Sequence, residues 1–580
     1  MIQKKHKAKK NTSRPSSTEQ KRVLVMTAIN TFLVKADTPV TLALFKLFNA
    51  AVSGDKDALQ QIRKYELKPH LYLEDKVSEF TYDYQALKLV KTFPAYKNIS
   101  ERDRKLAAFE KFIDSERTCR RINDICSRKH WITLLGVDAR TIDKIQRIVA
   151  KVLGPFPRGV LTGRHGKGST FRARGEDSFL ANKLMYSDCT KRCQEFIIHW
   201  MCDDSEFLME LTQHFDTVEG SEVSFVFKDS FIDRIIAFEP TWNMWVQELL
   251  GDEIAARLAK VVEIFIKKGE HTLTTEKHGE LARLASLATL LIATLDFSSA
   301  SDLWAALLVS RLLEQADPLW REALFASRSP KIKIDDQWFT LAKYATMGNA
   351  TTFPLETLLF YATARAVVGD EGIVSCYGDD LIVPAKDAEA VRSVFEKFGH
   401  KVNVEKSFTT GLFFESCGFD YFNGSRIFKS KLTSYKGVPY DAYSIRLHNV
   451  FWRLGVADTD QGICDVPAAA ACNRIRGKHP NPKRIPCVPM RYGDVGYHSG
   501  AEHWKVHTLH GIRYVEGTLY SPVATDISES TTFTRFTGKG KTEARISREH
   551  ILTYALSGGS QYVAPRGASC KWNKVKLSVS

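Results

Sequence analysis

From Val23 to about Phe215 the apolar residues recur at helical spacing, as in "VTLALFKLFNAAV" and "QEFIIHWMCDDSEFLMEL", with polar loops between them. Between 290 and 424 the pattern changes. "LLIATLDF" predicts a buried strand, and "SASDLWAALLVSRLL" a helix with Ser301 and Asp302 in its first turn. "KIKIDDQWFT" alternates like a hairpin with Asp335 and Asp336 at its turn, where they are read as solvated turn residues. "FPLETLLFYATARAVVG" is a helix opened by Pro354 and closed by Gly369. "IVSCYGDDLIVP" is an apolar hairpin with two aspartates at its tip; "KDAEAVRSVFEKFG" is a helix stopped by Gly399, and "HKVNVEKSF" closes as a strand. This order predicts an α+β unit, an antiparallel sheet with helices packed on one face. The stretch "RIRGKHPNPKRIP" (474–486) reads as loop, and no internal repeat is present.

Length changes the picture first: 580 residues exceed what one core usually organises, so two or three subdomains are expected. Residues 1–22 are basic, polar and nearly free of large apolar groups, the composition of a disordered tail that is either merely solvated or in loose contact with RNA. The balance of 82 Lys+Arg against 67 Asp+Glu gives a formal charge of +15, which favours a polyanionic partner. Eleven scattered cysteines supply no disulfide framework and suit a reducing cytoplasm. No secretory signal follows the basic start, and the longest apolar run, Leu284 to Leu295, is interrupted and too short to span a bilayer. A soluble protein is expected.

Two like charges at the tip of an apolar hairpin are electrostatically costly. Divalent cations offset that cost, and two of them held by aspartates activate a 3′-hydroxyl and stabilise a leaving pyrophosphate. Such a site needs carboxylates from two segments. Asp296, at the end of "LLIATLD", and Asp379, at the hairpin tip, are the candidate pair. "YGDV" at 492–495 has one Asp and no apolar flanks, and is read as a plain turn.

With those segments in view, the chain resembles the RNA-directed RNA polymerases, the replicase catalytic subunits, of the single-stranded RNA bacteriophages (leviviruses). The resemblance runs through "FEPTWNMWVQ", "ATLDFSSASD", "MGNATTFPLE", "YGDD", "FGHKVNVEKSF" and "GLFFESCGFDYFNG", in the family's order, over about 225–425. It implies a right-hand fold: a mainly helical N-terminal and fingers region (23–289), a palm (290–424), and a thumb with C-terminal region (425–580). It also implies RNA-directed RNA synthesis from NTPs with two Mg²⁺ ions, for which Mn²⁺ can substitute. Asp296 and Asp379 would hold the ions, the backbone carbonyl of Phe297 would complete one coordination sphere, and Asp380 would support the site as a neighbouring carboxylate. Asp302 would sense the ribose with Asn349 as its hydrogen-bond partner near the 2′-OH; its plainer reading is a first-turn helix carboxylate. Gly348 would mark a close approach to template or nucleotide, or a simple pre-helix turn. Lys406 would protonate pyrophosphate, or be an exposed strand-end lysine. Glu415, Ser416 and Cys417 match the turn between palm and thumb.

Lys228 and Arg234 match the family's triphosphate-binding segment, but Phe231 stands where a second lysine is expected, so one phosphate contact comes from elsewhere. Phe414 likewise replaces an arginine. The loop "LTGRHGKGSTFRARGEDS" lacks P-loop spacing; its Arg164, Lys167, Arg172 and Arg174 are candidates for RNA phosphate contact. Cys189, Cys193, His199 and Cys202 do not form a zinc site if Thr190 caps a helix, because Cys193 and Cys202 then lie roughly 180° apart. The rival readings are a reverse transcriptase, against which the small residues of "SSASD" argue, and a non-catalytic RNA-binding protein of this fold. As partners the resemblance implies template and product RNA, host elongation factors Tu and Ts and a multi-OB-fold ribosomal protein, in the cytoplasm of an infected bacterium and without a membrane.

Overall fold

The computed structural model describes residues 17–580 apart from 158–162, 167, 175–177, 179–182, 184–185, 201–213, 262–271, 436–437, 457–464, 523–524, 527–531, 538–539, 546–561, 564–569 and 580. At its centre lies a three-stranded antiparallel sheet in the order Ile292–Leu295, Asp380–Pro384, Ser375–Tyr377. Leu381 pairs with Leu295 and Asp380 with Tyr377. The fold is α+β, as expected, but the sheet is covered on both faces. Ala293, Leu295, Leu381 and Val383 join a core with Leu355, Leu359 and Phe360 of the helix Thr352–Val368. Ile292 and Ile382 face the other way, onto Ala282 and Ala285 of the helix Thr272–Ser286 and onto Phe414 and Tyr421. The expected one-sided packing fails because these strands are apolar at consecutive positions, the mark of a sheet buried on both faces.

Other elements also differ from the periodicity. The stretch after Ser299 forms a single 3-10 turn, Ala300–Leu303, before the helix Ala306–Leu312; between them Ala305 bridges to Lys343 as extended backbone. "HKVNVEKSF" yields only Lys401–Val402 as strand, then a 3-10 turn Val404–Lys406 and a bridge from Phe408 to Thr294. Residues 474–478 of the presumed loop end the helix Val466–Lys478. The hairpin Lys331–Ile334/Gln337–Thr340 joins a four-stranded sheet beside Ser221–Phe227 and Asp233–Phe238, and Asp335 and Asp336 occupy its turn at φ 45° and 65°.

The packing cuts across chain order. The N-terminal helices Ser17–Ala36 and Pro39–Ser53 share one core with Tyr440–Gly455 and Val466–Lys478 from the far end of the sequence. Lys21, buried in this seam, donates to the carbonyls of Tyr435 (3.0 Å) and Val438 (2.8 Å).

Candidate active site

A cleft of about 780 Å³ opens at the end of the central sheet, lined among others by Asp296, Asp302, Gly348, Asn349 and Asp379, with Lys228, Arg234 and Lys406. Asp379 reaches it through a tight turn. Gly378, at φ 63°, is the first of two loop residues, where such hairpins need glycine, and a Cβ there would meet the Phe353 ring at 2.9 Å. Its N–H donates to Thr357 Oγ1 at 2.9 Å, tying the turn to the helix beneath.

Asp296 is held from the 401–408 segment. Asn403 Nδ2 donates to its Oδ2 at 2.8 Å, the Asn403 N–H donates to its carbonyl at 2.8 Å, and Lys406 Nζ lies 3.4 Å from Oδ1. Burial and then the Asp296 charge push the Asp379 carboxyl up to about 6. Asp380 is pushed up to about 7 by burial, Asp379 and Glu415, and it does not line the cleft: one residue along the strand, its neighbours are Glu415 and Cys417. Phe297 is core, its ring against Phe360 and Phe395 at 4.8 Å each.

Among the described residues no three carboxylate, histidine or cysteine side chains converge into a ready-made ion cage. Asp296 and Asp379 nevertheless fit a divalent cation: two oxygen donors whose mutual repulsion raises one of them, open toward a cleft where substrate oxygens would complete the shell.

Asp302 and Asn349 both line the cleft, but the expected hydrogen bond between them is absent. Asn349 Oδ1 accepts from the Thr351 N–H (2.8 Å) and hydroxyl (2.7 Å), which orients the amide and leaves Nδ2 buried without a partner. Asp302 is bound instead by Lys343, at 3.0 Å. Gly348, at φ 117°, approaches protein backbone: a Cβ would stand 2.1 Å from the Ala237 carbonyl oxygen, beside the bond from Ala237 N–H to the Met347 carbonyl. Gly348→Ala is therefore expected to lose about 1–3 kcal/mol from backbone strain alone, before any clash, read as a lower urea midpoint.

The basic wall is larger than the sequence reading foresaw. Lys88, Lys91, Lys111 and Lys431 join Lys228, Arg234 and Lys406 in lining the cleft. Burial, then Lys111, Arg234 and Lys406, lower the Lys228 ammonium; burial, then Lys406, Lys429 and Arg234, lower that of Lys431. These are cations crowded together, the setting of an anion site. Burial lowers Lys406, but Asp296 and Glu415 outweigh it and the net shift is upward. Phe231, in place of a lysine, packs on Tyr96 with centroids 6.4 Å apart. Glu356 also went unnoticed in the sequence: it lines the cleft floor, its Oε1 has no partner among the described residues, and burial with Asp379 and Asp302 raises it well above the usual range. Only its place in "MGNATTFPLE" signalled it.

The arginine loop is engaged by ion pairs. Arg164 pairs with Glu248 (2.5 Å) and Asp252 (2.7 Å), Arg172 with Asp216, and Arg174 with Glu222 (2.6 Å) while lying over Phe238. Carboxylates of neighbouring elements thus pair with these three arginines and fix the loop, and the arginine side chains stay 39–42% exposed. Lys167 lies outside the described residues, as does Cys202. Cys189 and Cys193 are buried and hydrogen-bonded to each other, and exposed His199 caps back to the Glu195 carbonyl, so these three do not converge on an ion.

Residues 49–429 match the family described as RNA replicase, beta-chain. The chain is 32% identical over 407 residues to the RNA-directed RNA polymerase subunit beta of Enterobacteria phage SP, covering 68% of this chain and 67% of that one. It is 30% identical over 411 residues to the subunit of the same name from Escherichia virus Qbeta, covering 68% and 65%. The matches thus span about two thirds of those relatives' length. The solved RNA-dependent RNA polymerase of a human picorbirnavirus aligns with 45% of this chain and 56% of its own at 10% identity and a TM-score of 0.33, too low to bear on the fold. The chain belongs to the RNA replicase beta-chain family, that of the RNA-directed RNA polymerase subunits of single-stranded RNA bacteriophages.

Proposed function

We propose that this chain is an RNA-directed RNA polymerase that replicates a phage single-stranded RNA genome, transferring nucleotides from NTPs to a 3′-hydroxyl by a two-metal-ion mechanism. On this reading 290–424 is the palm, the helical region before it carries the fingers, and 425–580 carries the thumb. The observation that supports it is the meeting of Asp296 and Asp379 from separate strands in a cleft whose other wall is basic.

Asp296 and Asp379 would hold Mg²⁺ or Mn²⁺, with the Phe297 carbonyl as a further oxygen and Asp380 acting on the site through the charge of Asp379. Such ions, when bound, polarise phosphoryl oxygens and acidify the attacking hydroxyl. The chain's own groups do the rest. Lys228, Arg234 and the neighbouring Lys111 and Lys431 bind the triphosphate, the last two supplying the contact that Phe231 lacks. Lys406, its affinity for protons raised, donates one to departing pyrophosphate. Asp302 and Asn349 face the ribose. Template and product RNA are the remaining ligands; elongation factors Tu and Ts and a ribosomal protein, in the bacterial cytoplasm, rest on kinship alone. No described helix is long and apolar enough to cross a membrane.

The test is incorporation of labelled ribonucleotides, against deoxynucleotides, on a heteropolymeric RNA template with Mg²⁺, with and without bacterial extract. Ribonucleotide incorporation supports the reading, deoxynucleotide preference favours a reverse transcriptase, and RNA binding with no incorporation in any arm sinks the catalytic assignment.

A pH dependence accompanies it. The folded-state values of Asp379 and Asp380, about 6 and about 7, exceed the usual carboxylate value, so the fold holds protons that the unfolded chain has lost as pH rises above about 4. These groups therefore reduce stability as pH rises through that window. Mg²⁺ must displace the same protons, so it is expected to bind more weakly at pH 5.5 than at pH 7.5 and to raise the melting temperature more at the higher pH.

A further inference from the structure

Lys343 is a fully buried lysine beneath the cleft, and it came from no motif. Its Nζ lies 3.0 Å from Asp302 Oδ1, 3.6 Å from Glu116 Oε1 and 3.7 Å from the centroid of the Phe112 ring. The backbone on either side is pinned. Glu116 Oε2 accepts from the Ala342 N–H (2.7 Å), Asn123 Nδ2 donates to the Ala342 carbonyl (2.7 Å), Arg328 donates to the Lys343 carbonyl (2.9 Å), and Lys343 bridges to Ala305. The ammonium therefore has a fixed position. The Asp302 backbone is held by a single 3-10 turn after Ser299, which is left-handed at φ 58°, and by the Cys119 thiol donating to its carbonyl at 3.4 Å, while its carboxylate is held by Lys343. The Asp302 side chain is 22% exposed, toward the cleft.

We propose that Lys343 is a positioning residue for ribose selection, acting through Asp302. This rests on the polymerase reading above. By binding Oδ1 it aims the carboxylate and leaves Oδ2 as an acceptor in the cleft, with the unpartnered Asn349 Nδ2 as a donor on the same lining. A ribonucleotide 2′-hydroxyl both donates and accepts, so it satisfies both groups, whereas a 2′-deoxynucleotide leaves them buried and unpaired. A site built this way discriminates by the missing hydroxyl. Without the ammonium, the carboxylate is free to turn on its short 3-10 support and the acceptor is no longer aimed. A buried lysine between two carboxylates costs desolvation, and replacing all three groups by apolar side chains of similar volume is often neutral or stabilising, so stability alone gives little reason for the cluster, although removing the ammonium alone strands both carboxylates.

The experiment uses the full chain and measures kcat and KM for UTP and dUTP on one RNA template. The unmutated chain, Lys343→Met and Asp302→Asn are compared with Phe156→Leu, a core change outside the cleft lining that matches loss of stability. Lys343→Met is expected to lower kcat/KM for UTP by about tenfold or more, chiefly through KM, with little change for dUTP, so the UTP/dUTP ratio falls as it does in Asp302→Asn. Phe156→Leu should leave the ratio alone. If Lys343→Met does not fold, Lys343→Met/Glu116→Gln, which removes the second stranded carboxylate, is read in the same way. An unchanged ratio in the Lys343 variant beside a fallen ratio in Asp302→Asn overturns the proposal and leaves ribose sensing by Asp302 standing. An unchanged ratio in both overturns ribose sensing as well, and no incorporation by the unmutated chain overturns the polymerase reading and this proposal with it.

Discussion

Asp379→Asn is expected to abolish nucleotide incorporation, by roughly a thousandfold or more, while RNA binding measured by filter retention stays within about twofold. The size follows from the site. Asp379 is one of the two cleft carboxylates proposed to hold the cation, and loss of several kcal/mol of transition-state stabilisation is worth a factor of ten for each ~1.4 kcal/mol. The asparagine keeps the shape of the turn, whose conformation depends on Gly378 and its bond to Thr357, so the variant should fold. Removing a charge raised to about 6 by burial and by Asp296 should even stabilise the metal-free protein. Asp380→Asn provides the contrast. Its side chain sits by Glu415 and Cys417 outside the cleft lining, so its rate loss should be clearly smaller, although the two aspartates are adjacent in sequence. Equal losses would place both carboxylates on the ions and contradict this geometry, and an active Asp379→Asn would remove the metal site from the mechanism.

Lys429→Met carries the largest expected loss of stability. Glu415 and Asp420 stand directly opposite each other on the strands Phe413–Ser416 and Phe419–Phe422, a like-charge pair that an antiparallel sheet does not tolerate unaided. Lys429 binds both, Asp420 Oδ1 at 2.7 Å and Glu415 in a still closer contact. Burial raises the Glu415 carboxyl but Lys429 and Lys88 outweigh it, while burial and the Glu415 charge push Asp420 up to about 7. Removing the ammonium strands two buried charges beside the active site, which typically costs about 3–5 kcal/mol. The sign with pH follows from the raised Asp420 value. Below about 6 that carboxyl is protonated, so the variant should approach the parent in stability at pH 5 and fall furthest behind at pH 8, measured as urea midpoints. A penalty independent of pH would mean that Lys429 acts through its aliphatic stem rather than its charge.

What the sequence determined by itself was the local chemistry. The YGDD turn, the helix from Pro354 to Gly369 and the turn role of Asp335 and Asp336 all follow from short-range rules: period-two alternation, glycine where φ is positive, and the restrictions of proline. The approach of Asp296 to Asp379 was legible because both close apolar strands. Tertiary structure decided what lies at long range. Asn403 on Asp296, Lys343 on Asp302, and Lys111 and Lys431 on the cleft wall have no local signature, since an isolated lysine or asparagine in sequence looks like surface. The arginines of the 161–178 loop show the same dependence: a basic run does not disclose that Glu222, Glu248 and Asp252 come from other elements to pair with it. The joining of the first helices to residues 440–478 was likewise beyond any pattern, because an apolar helical face declares that it will be buried but not against what. Hydrophobic burial is non-directional, and only the assembled chain supplies the partner.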